Sequence, residues 1–224
     1  MGMFFEEHAK LLSDFARVSQ STGARADYVQ GGGGNTSVKL PGGLMAIKAS
    51  GFCLSDIRPD KAYAVLDGAD LRNFYLTTDP SALADVEKEG SARAKADVRH
   101  IDGLADLRPS VEAGFHSILK TFVVHTHSVY ANLAACSTAC RPIAAPAFAG
   151  ANYTWGWVPY TDPGANLTFA IRDELRRVEK ETGKVPSVIL MQNHGIIVHD
   201  DDPDTALAIH TDANERLARM FGLT

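Results

Sequence analysis

The feature that most constrains this chain is a pair of short apolar runs, Phe122-Val123-Val124 and Val188-Ile189-Leu190-Met191, each leading into a histidine-bearing polar segment. Runs this short and rich in β-branched residues read as strands buried on both faces rather than as helices. Strands of that kind need helices above and below them, and the intervening sequence supplies helical patterns. Phe4, Phe5, Leu11, Leu12, Phe15 and Val18 recur at helical spacing, and Gly23 is placed to stop that helix. Residues 44–47 and 62–66 read as strands, the first following the Pro41-Gly42-Gly43 turn. Two or three short helices are expected over 69–100. Residues 111–119 form a further helix, with Ser110 as N-cap and Glu112 in the first turn. An alanine-rich helix follows to about Cys136, then a strand over 152–160 and a helix over 166–180 capped by Asn166. Residues 196–199 are a last strand, and 203–221 a closing amphipathic helix opened by Asp202-Pro203. The alternation predicts an α/β layer structure. No repeat or linker interrupts it, so residues 1–224 are expected to form one domain.

Partners are narrowed by charge. A net charge of −5 leaves no electrostatic footprint for nucleic acid or an anionic membrane surface. A small anionic substrate stays open, because a few local donors bind a phosphate whatever the net charge. No window reaches the ~18 consecutive apolar residues of a membrane span. The first fifteen residues are acidic where a signal peptide carries a basic region. Three cysteines, Cys53, Cys136 and Cys140, are too few for a disulfide framework, and the last two read as a buried structural pair. A cytoplasmic location is expected.

Three constellations carry candidate chemistry. In Val123-Val124-His125-Thr126-His127, side chains alternate along the strand, so both imidazoles point the same way and reach one metal. Two histidines so close also arise by chance. A third, His194 in Gln192-Asn193-His194-Gly195, ends another buried-type strand, where ligands gather in α/β sheets. A solvated turn histidine is the alternative. Next, Gly31-Gly32-Gly33-Gly34-Asn35-Thr36-Ser37 allows backbone N–H groups to approach an anion, although it is neither a Walker A loop nor a dinucleotide fingerprint. Lys48-Ala49-Ser50-Gly51 offers a second donor cluster. Finally, Glu112 in Arg108-Pro109-Ser110-Val111-Glu112 is either a helix-dipole carboxylate or a general acid/base.

Taken in order, GGGGNTSVKL, IKASG, RPSVEAGFH, VVHTHS and QNHGIIV resemble the class II aldolase/adducin superfamily, closest to rhamnulose-1-phosphate aldolase-like domains. The resemblance implies a three-layer α/β/α sandwich around a mixed central sheet. It implies a metal site of His125, His127 and His194, completed by Glu112, which doubles as the catalytic acid/base. The metal implied is Zn2+, with Mn2+ or Co2+ as substitutes. Gly34, Asn35, Ser50, Gly51 and Ser110 match phosphate-binding positions, while Val111 stands where a second serine is usual. The implied activity is a metal-dependent lyase that cleaves a ketose 1-phosphate of the rhamnulose or fuculose type. Sugar-phosphate 4-epimerisation, methylthioribulose-phosphate dehydration and a non-catalytic adducin-like module are the alternatives. A homotetramer is implied too, with Tyr153 or Tyr160 as candidates for a tyrosine reaching a neighbouring subunit's site. His8, His100, His116, His199 and His210 show no partner pattern and are assigned to surface or packing.

Overall fold

The computed structural model describes residues 3–223. The N-terminal helical pattern forms α1 (Met3–Glu7) and α2 (Ala9–Gly23), separated at His8. The strands β1 (Asn35–Lys39), β2 (Leu44–Lys48) and β3 (Tyr63–Asp67) follow, then α3 (Gly68–Thr77), α4 (Val86–Ala96) and the two-residue β4 (Val98–Arg99). After α5 (Ala113–Ile118) come β5 (Phe122–Thr126), α6 (Val129–Ala135), α7 (Cys140–Phe148) and β6 (Trp155–Val158). The chain closes with α8 (Ala165–Thr182), β7 (Val188–Met191), β8 (Gly195–Asp200) and α9 (Pro203–Met220).

Among the described residues, eight strands join one sheet in the order β4-β3-β2-β1-β5-β8-β7-β6. Only β6 and β7 run parallel; every other neighbouring pair is antiparallel. Side-chain alternation divides each strand between two cores. Val123, Met45, Ile47 and Ile197 pack with Phe115, Leu167 and Ile171 of α5 and α8 on one face. Val38, Val65, Phe122 and Val124 pack with Leu12 and Phe15 of α2 on the other, where Leu217 of α9 also meets Val198. The result is the expected α/β/α sandwich around a mixed sheet.

Local details depart from the sequence reading. Ser110 does not cap α5, which begins three residues later with Glu112 in the N-cap position. Asn166 does not cap α8 either. Gly164 precedes that helix, and the Glu87 carboxylate of α4 accepts the N–H groups of Ala165 and Asn166 at 2.9 and 2.8 Å. A cap supplied by a carboxylate 78 residues away leaves no local signature. Helix α7 is hidden by Pro146 inside it; burial of Cys140, Ala144 and Phe148 beside α9 holds it helical. Cys136 is exposed while Cys140 is buried, so the two do not form a buried pair. Among the described residues, no helix is long and apolar enough to cross a membrane.

Candidate metal and catalytic site

The three histidines meet at one end of the sheet. Strand β5 and the residue just past its end place His125 and His127 on the α5 face and turn Thr126 to the other, where its Oγ1 lies 2.7 Å from His210 Nε2 of α9. Strand β8 lies beside β5, and the tight turn between β7 and β8 returns His194 to the same end. Asn193 makes that turn with φ of 53°, a left-handed conformation asparagine tolerates. One potential ligand atom from each of His125, His127 and His194 lies within 4.8 Å of the others.

Close backbone approach explains the glycines around them. A Cβ on Gly195 would stand 2.2 Å from the Thr126 carbonyl oxygen, and one on Gly34 would stand 2.6 Å from that of His125. Gly34 also has φ of 72°, which side chains disfavour. Gly31 and Gly32, by contrast, would meet nothing. The glycine run is therefore part open loop and part packing against the histidine strand.

Glu112 enters from the start of α5. Although it occupies the N-cap position, its side chain makes no cap hydrogen bond. Its Oε1 lies 3.0 Å from His194 Nε2, and its Oε2 lies 3.5 Å from His125 Nε2. Asn35 Nδ2 donates to Oε2 at 2.6 Å. Burial pushes this carboxyl up, but the neighbouring imidazoles and the Asn35 amide outweigh it and hold the group below the usual carboxylate range. Burial acts in the opposite sense on His125, lowering it to about 4, so its ring is neutral near pH 7.

The donor set suits a divalent cation. His125 Nδ1 is 3.0 Å from the Ile196 carbonyl oxygen, which requires the proton on Nδ1 and leaves the Nε2 lone pair free. Among the described residues that Nε2 is buried without a hydrogen-bond partner, and Glu112 Oε1, though 3.0 Å from His194 Nε2, has none of normal geometry. Unpartnered buried acceptors of this kind are costly unless a cation or donor sits between them. Neutral imidazoles and a carboxylate are the ligand types Zn2+ takes in catalytic sites, and Mn2+ and Co2+ accept them too.

The phosphate candidates gather beside this centre. An antiparallel bridge between Ala49 and Pro109 sets the Ser50-Gly51 turn against Ser110, and Asn35 Nδ2 donates to Ser110 Oγ at 3.1 Å. Ser50 Oγ donates to the Pro109 carbonyl, and its N–H to that of Arg108. Ser110 Oγ also accepts the Glu112 N–H at 3.3 Å, which keeps its own hydroxyl proton available. Val111 is 66% exposed on the same rim. Lys48 is buried and donates to the Phe52 carbonyl, closing the 49–52 turn rather than standing in solvent.

Sequence alone assigns His116 to packing, and the structure gives it a more defined place. Its Nε2 bonds Asn35 Oδ1 and its Nδ1 lies 2.7 Å from Ser37 Oγ. Burial and the Lys39 charge lower it well below the ordinary histidine range, so it is neutral. The amide of Asn35 must face NH2 to Glu112 and oxygen to His116, which places the His116 proton on Nε2. The legible signal is its spacing, four residues after Glu112 on one face of a helical turn. Within the chain, Tyr153 donates to Asp212 at 2.8 Å and the exposed Tyr160 to Asp162.

A model of the class II aldolase and adducin N-terminal domain matches residues 13–221. No curated protein matches significantly in sequence. Among solved structures, the N-terminal class II aldolase domain of a conserved protein from Thermoplasma acidophilum superposes with a TM-score of 0.75. It is 20% identical and the match covers 94% of this chain and 93% of that one. The YgbL protein of Klebsiella pneumoniae, a candidate aldolase, epimerase or decarboxylase, gives 0.63 at 18% identity over 99% and 92%. The L-fuculose-1-phosphate aldolase of Thermus thermophilus gives 0.56 at 15% identity over 96% and 95%.

Proposed function

Because this chain belongs to the class II aldolase and adducin family, we propose that it is a metal-dependent lyase cleaving a ketose 1-phosphate to dihydroxyacetone phosphate and an aldehyde. The observation that carries the reading is the buried Glu112 carboxylate, aimed by Asn35 at two of three convergent imidazoles. His125, His127 and His194, with Glu112 as a fourth ligand in the absence of substrate, would hold Zn2+. The cation would supply Lewis acidity toward the substrate's carbonyl and hydroxyl oxygens.

The protein's own groups do the rest. Glu112, kept ionised by its neighbours, accepts a proton from C3 of dihydroxyacetone phosphate in the synthetic direction. In cleavage the C4 hydroxyl gives up its proton as the C3–C4 bond breaks, and Glu112 takes up a proton and delivers it to C3. The His116–Asn35 pair fixes the carboxylate's direction. The Gly34 backbone, Asn35, Ser50, Gly51 and Ser110 form the rim that receives the phosphate and positions the reacting carbons. This sandwich acts as one catalytic domain in the cytoplasm, in a homotetramer. An epimerase or dehydratase on the same scaffold is the second reading, favoured by the exposed Val111 where a serine donor is usual.

The test incubates rhamnulose, fuculose and related ketose 1-phosphates with the protein, with and without chelator, and follows products by proton NMR. Chelator-sensitive release of dihydroxyacetone phosphate is expected. An epimer or a dehydrated product in its place would select the second reading, and no turnover after zinc reconstitution would sink both. Metal content should be near stoichiometric in the native chain and lost in His127→Ala; equal metal in the two would remove His127 from the site.

A further inference from the structure

At the opposite end of the sheet from the histidine cluster lies a pocket of about 650 Å3 that the catalytic reading does not use. Its walls carry Lys39, Arg72, Lys120, Arg172 and Arg176 against only Glu179 and Asp201. Five cations against two carboxylates is a positive site on a chain whose net charge is −5. Three of the cations are already matched to acids. Lys120 pairs with Asp200 at 2.9 Å, Arg172 with Asp173 at 2.8 Å, and Arg176 lies 4.0 Å from Asp173.

Lys39 and Arg72 are different. Their hydrogen bonds go to backbone carbonyls, Lys39 Nζ to that of His116 and Arg72 Nη1 to that of Ser117 at 3.2 Å. Neither makes an ion pair among the described residues. They stand at adjacent carbonyls in the last turn of α5, where positive charge is favoured by the helix dipole. That structural use accounts for one donor of each, and although the Asp201 charge on the pocket wall acts on Lys39, neither head is paired with it. Burial and the nearby Arg72 charge lower the Lys39 ammonium to about 7, a strain that an anion between the two would relieve.

A second, independent observation points the same way. His199 lines the pocket, is 1% exposed, and neither of its ring nitrogens has a hydrogen-bond partner of normal geometry among the described residues. The Pro186 carbonyl exerts only a minor pull on the ring. Buried polar groups are nearly always paired, and a ring with both nitrogens idle at the wall of a basic cavity is arranged for something that fills it. The remaining walls are apolar, with Leu40, Leu44, Leu76 and Ile118 among them. Volumes of roughly 300–1,000 Å3 with apolar walls and a few convergent polar groups are typical of small-molecule sites.

We propose that this pocket binds a small organic anion, its phosphate or carboxylate held between Lys39 and Arg72, its polar body reaching His199, and its apolar part against the leucines. The site is separate from the histidine end and stands whether or not the catalytic reading holds. The test measures binding of phenyl phosphate and of benzoate by calorimetry to the native chain, Arg72→Gln and Lys88→Gln. Arg72 is exposed and bonds only one backbone carbonyl, so its replacement is not expected to unfold the chain. Loss of one charge-assisted contact should weaken binding about tenfold or more in Arg72→Gln. Lys88→Gln, which removes the same charge from an exposed position of α4 outside the pocket, should leave it unchanged, and the tighter of the two probes identifies the head group. Neither probe binding at millimolar concentration would overturn the proposal. So would equal binding to native and Arg72→Gln protein, or an equal loss in Lys88→Gln, which would make the effect one of overall charge rather than of the pocket.

Discussion

Helix α5 is short, and its two ends handle charge in opposite ways. At its C-terminal end the cations of Lys39 and Arg72 satisfy the backbone carbonyls of His116 and Ser117, an ordinary arrangement for a helix terminus. At its N-terminal end Glu112 sits where a carboxylate would cap the helix, yet its oxygens turn to Asn35, His125 and His194 instead. The difference teaches which acidic residue is withdrawn from structural duty. Here the cap position does not cap, and its oxygens are free of the helix terminus and turned to two imidazoles and an amide. The cations, in contrast, serve the helix first and have charge left over.

The largest expected effect separates the two ends. Glu112→Gln keeps the shape but removes the base, so turnover should fall by roughly 10²–10⁴-fold, the usual contribution of a positioned acid/base group. Initial rates of dihydroxyacetone phosphate release measure this, and a drop of under tenfold would return Glu112 to a purely structural role. Next, Asn35→Ala should leave the His116 Nε2–H and one Glu112 oxygen without partners. Each buried group so orphaned costs about 1–3 kcal/mol, read as a lower urea midpoint at unchanged slope. An unaltered midpoint would break the inferred His116–Asn35–Glu112 chain.

Acid should probe the other end. Burial, with the Lys39 and Lys120 charges, lowers His199 to about 3 in the folded chain, against an ordinary value of 6.5. Below pH 6.5 the unfolded chain takes up a proton that the folded ring refuses until about pH 3. The stability this ring contributes is therefore complete above pH 6.5 and declines as pH falls through that window. At about 1.36 kcal/mol per pH unit, roughly 2 kcal/mol is lost by about pH 5. His199→Phe should show that much less acid sensitivity between about pH 7 and 5 in urea titrations; the same sensitivity as native would show that the ring is not the source. The smallest effect expected is on turnover in Arg72→Gln. Without added anion it should stay within about twofold of native, the range for a residue that touches no reacting atom. A larger loss would join the two ends of α5 that the comparison keeps apart.

Much of this was legible in the residues themselves. The strands leading to His125, His127 and His194 are written in short β-branched runs, and alternation alone puts the first two imidazoles on one side. The order of alternating elements specifies a layered α/β fold because apolar strands must be covered on both faces. These are local properties, and local sequence determines them. What lay beyond it depends on groups far apart in the chain. Only the packing of β8 beside β5 brings His194 to His125, and only the pairing of β1 with β5 carries Asn35 to Glu112, 77 residues away. The same holds for the Glu87 cap on α8, the role of His116 and the cluster of cations at Lys39. Hydrogen bonds and charges act through space over a few ångströms, so which partners they find is decided where the chain folds back, and no spacing along it records the answer.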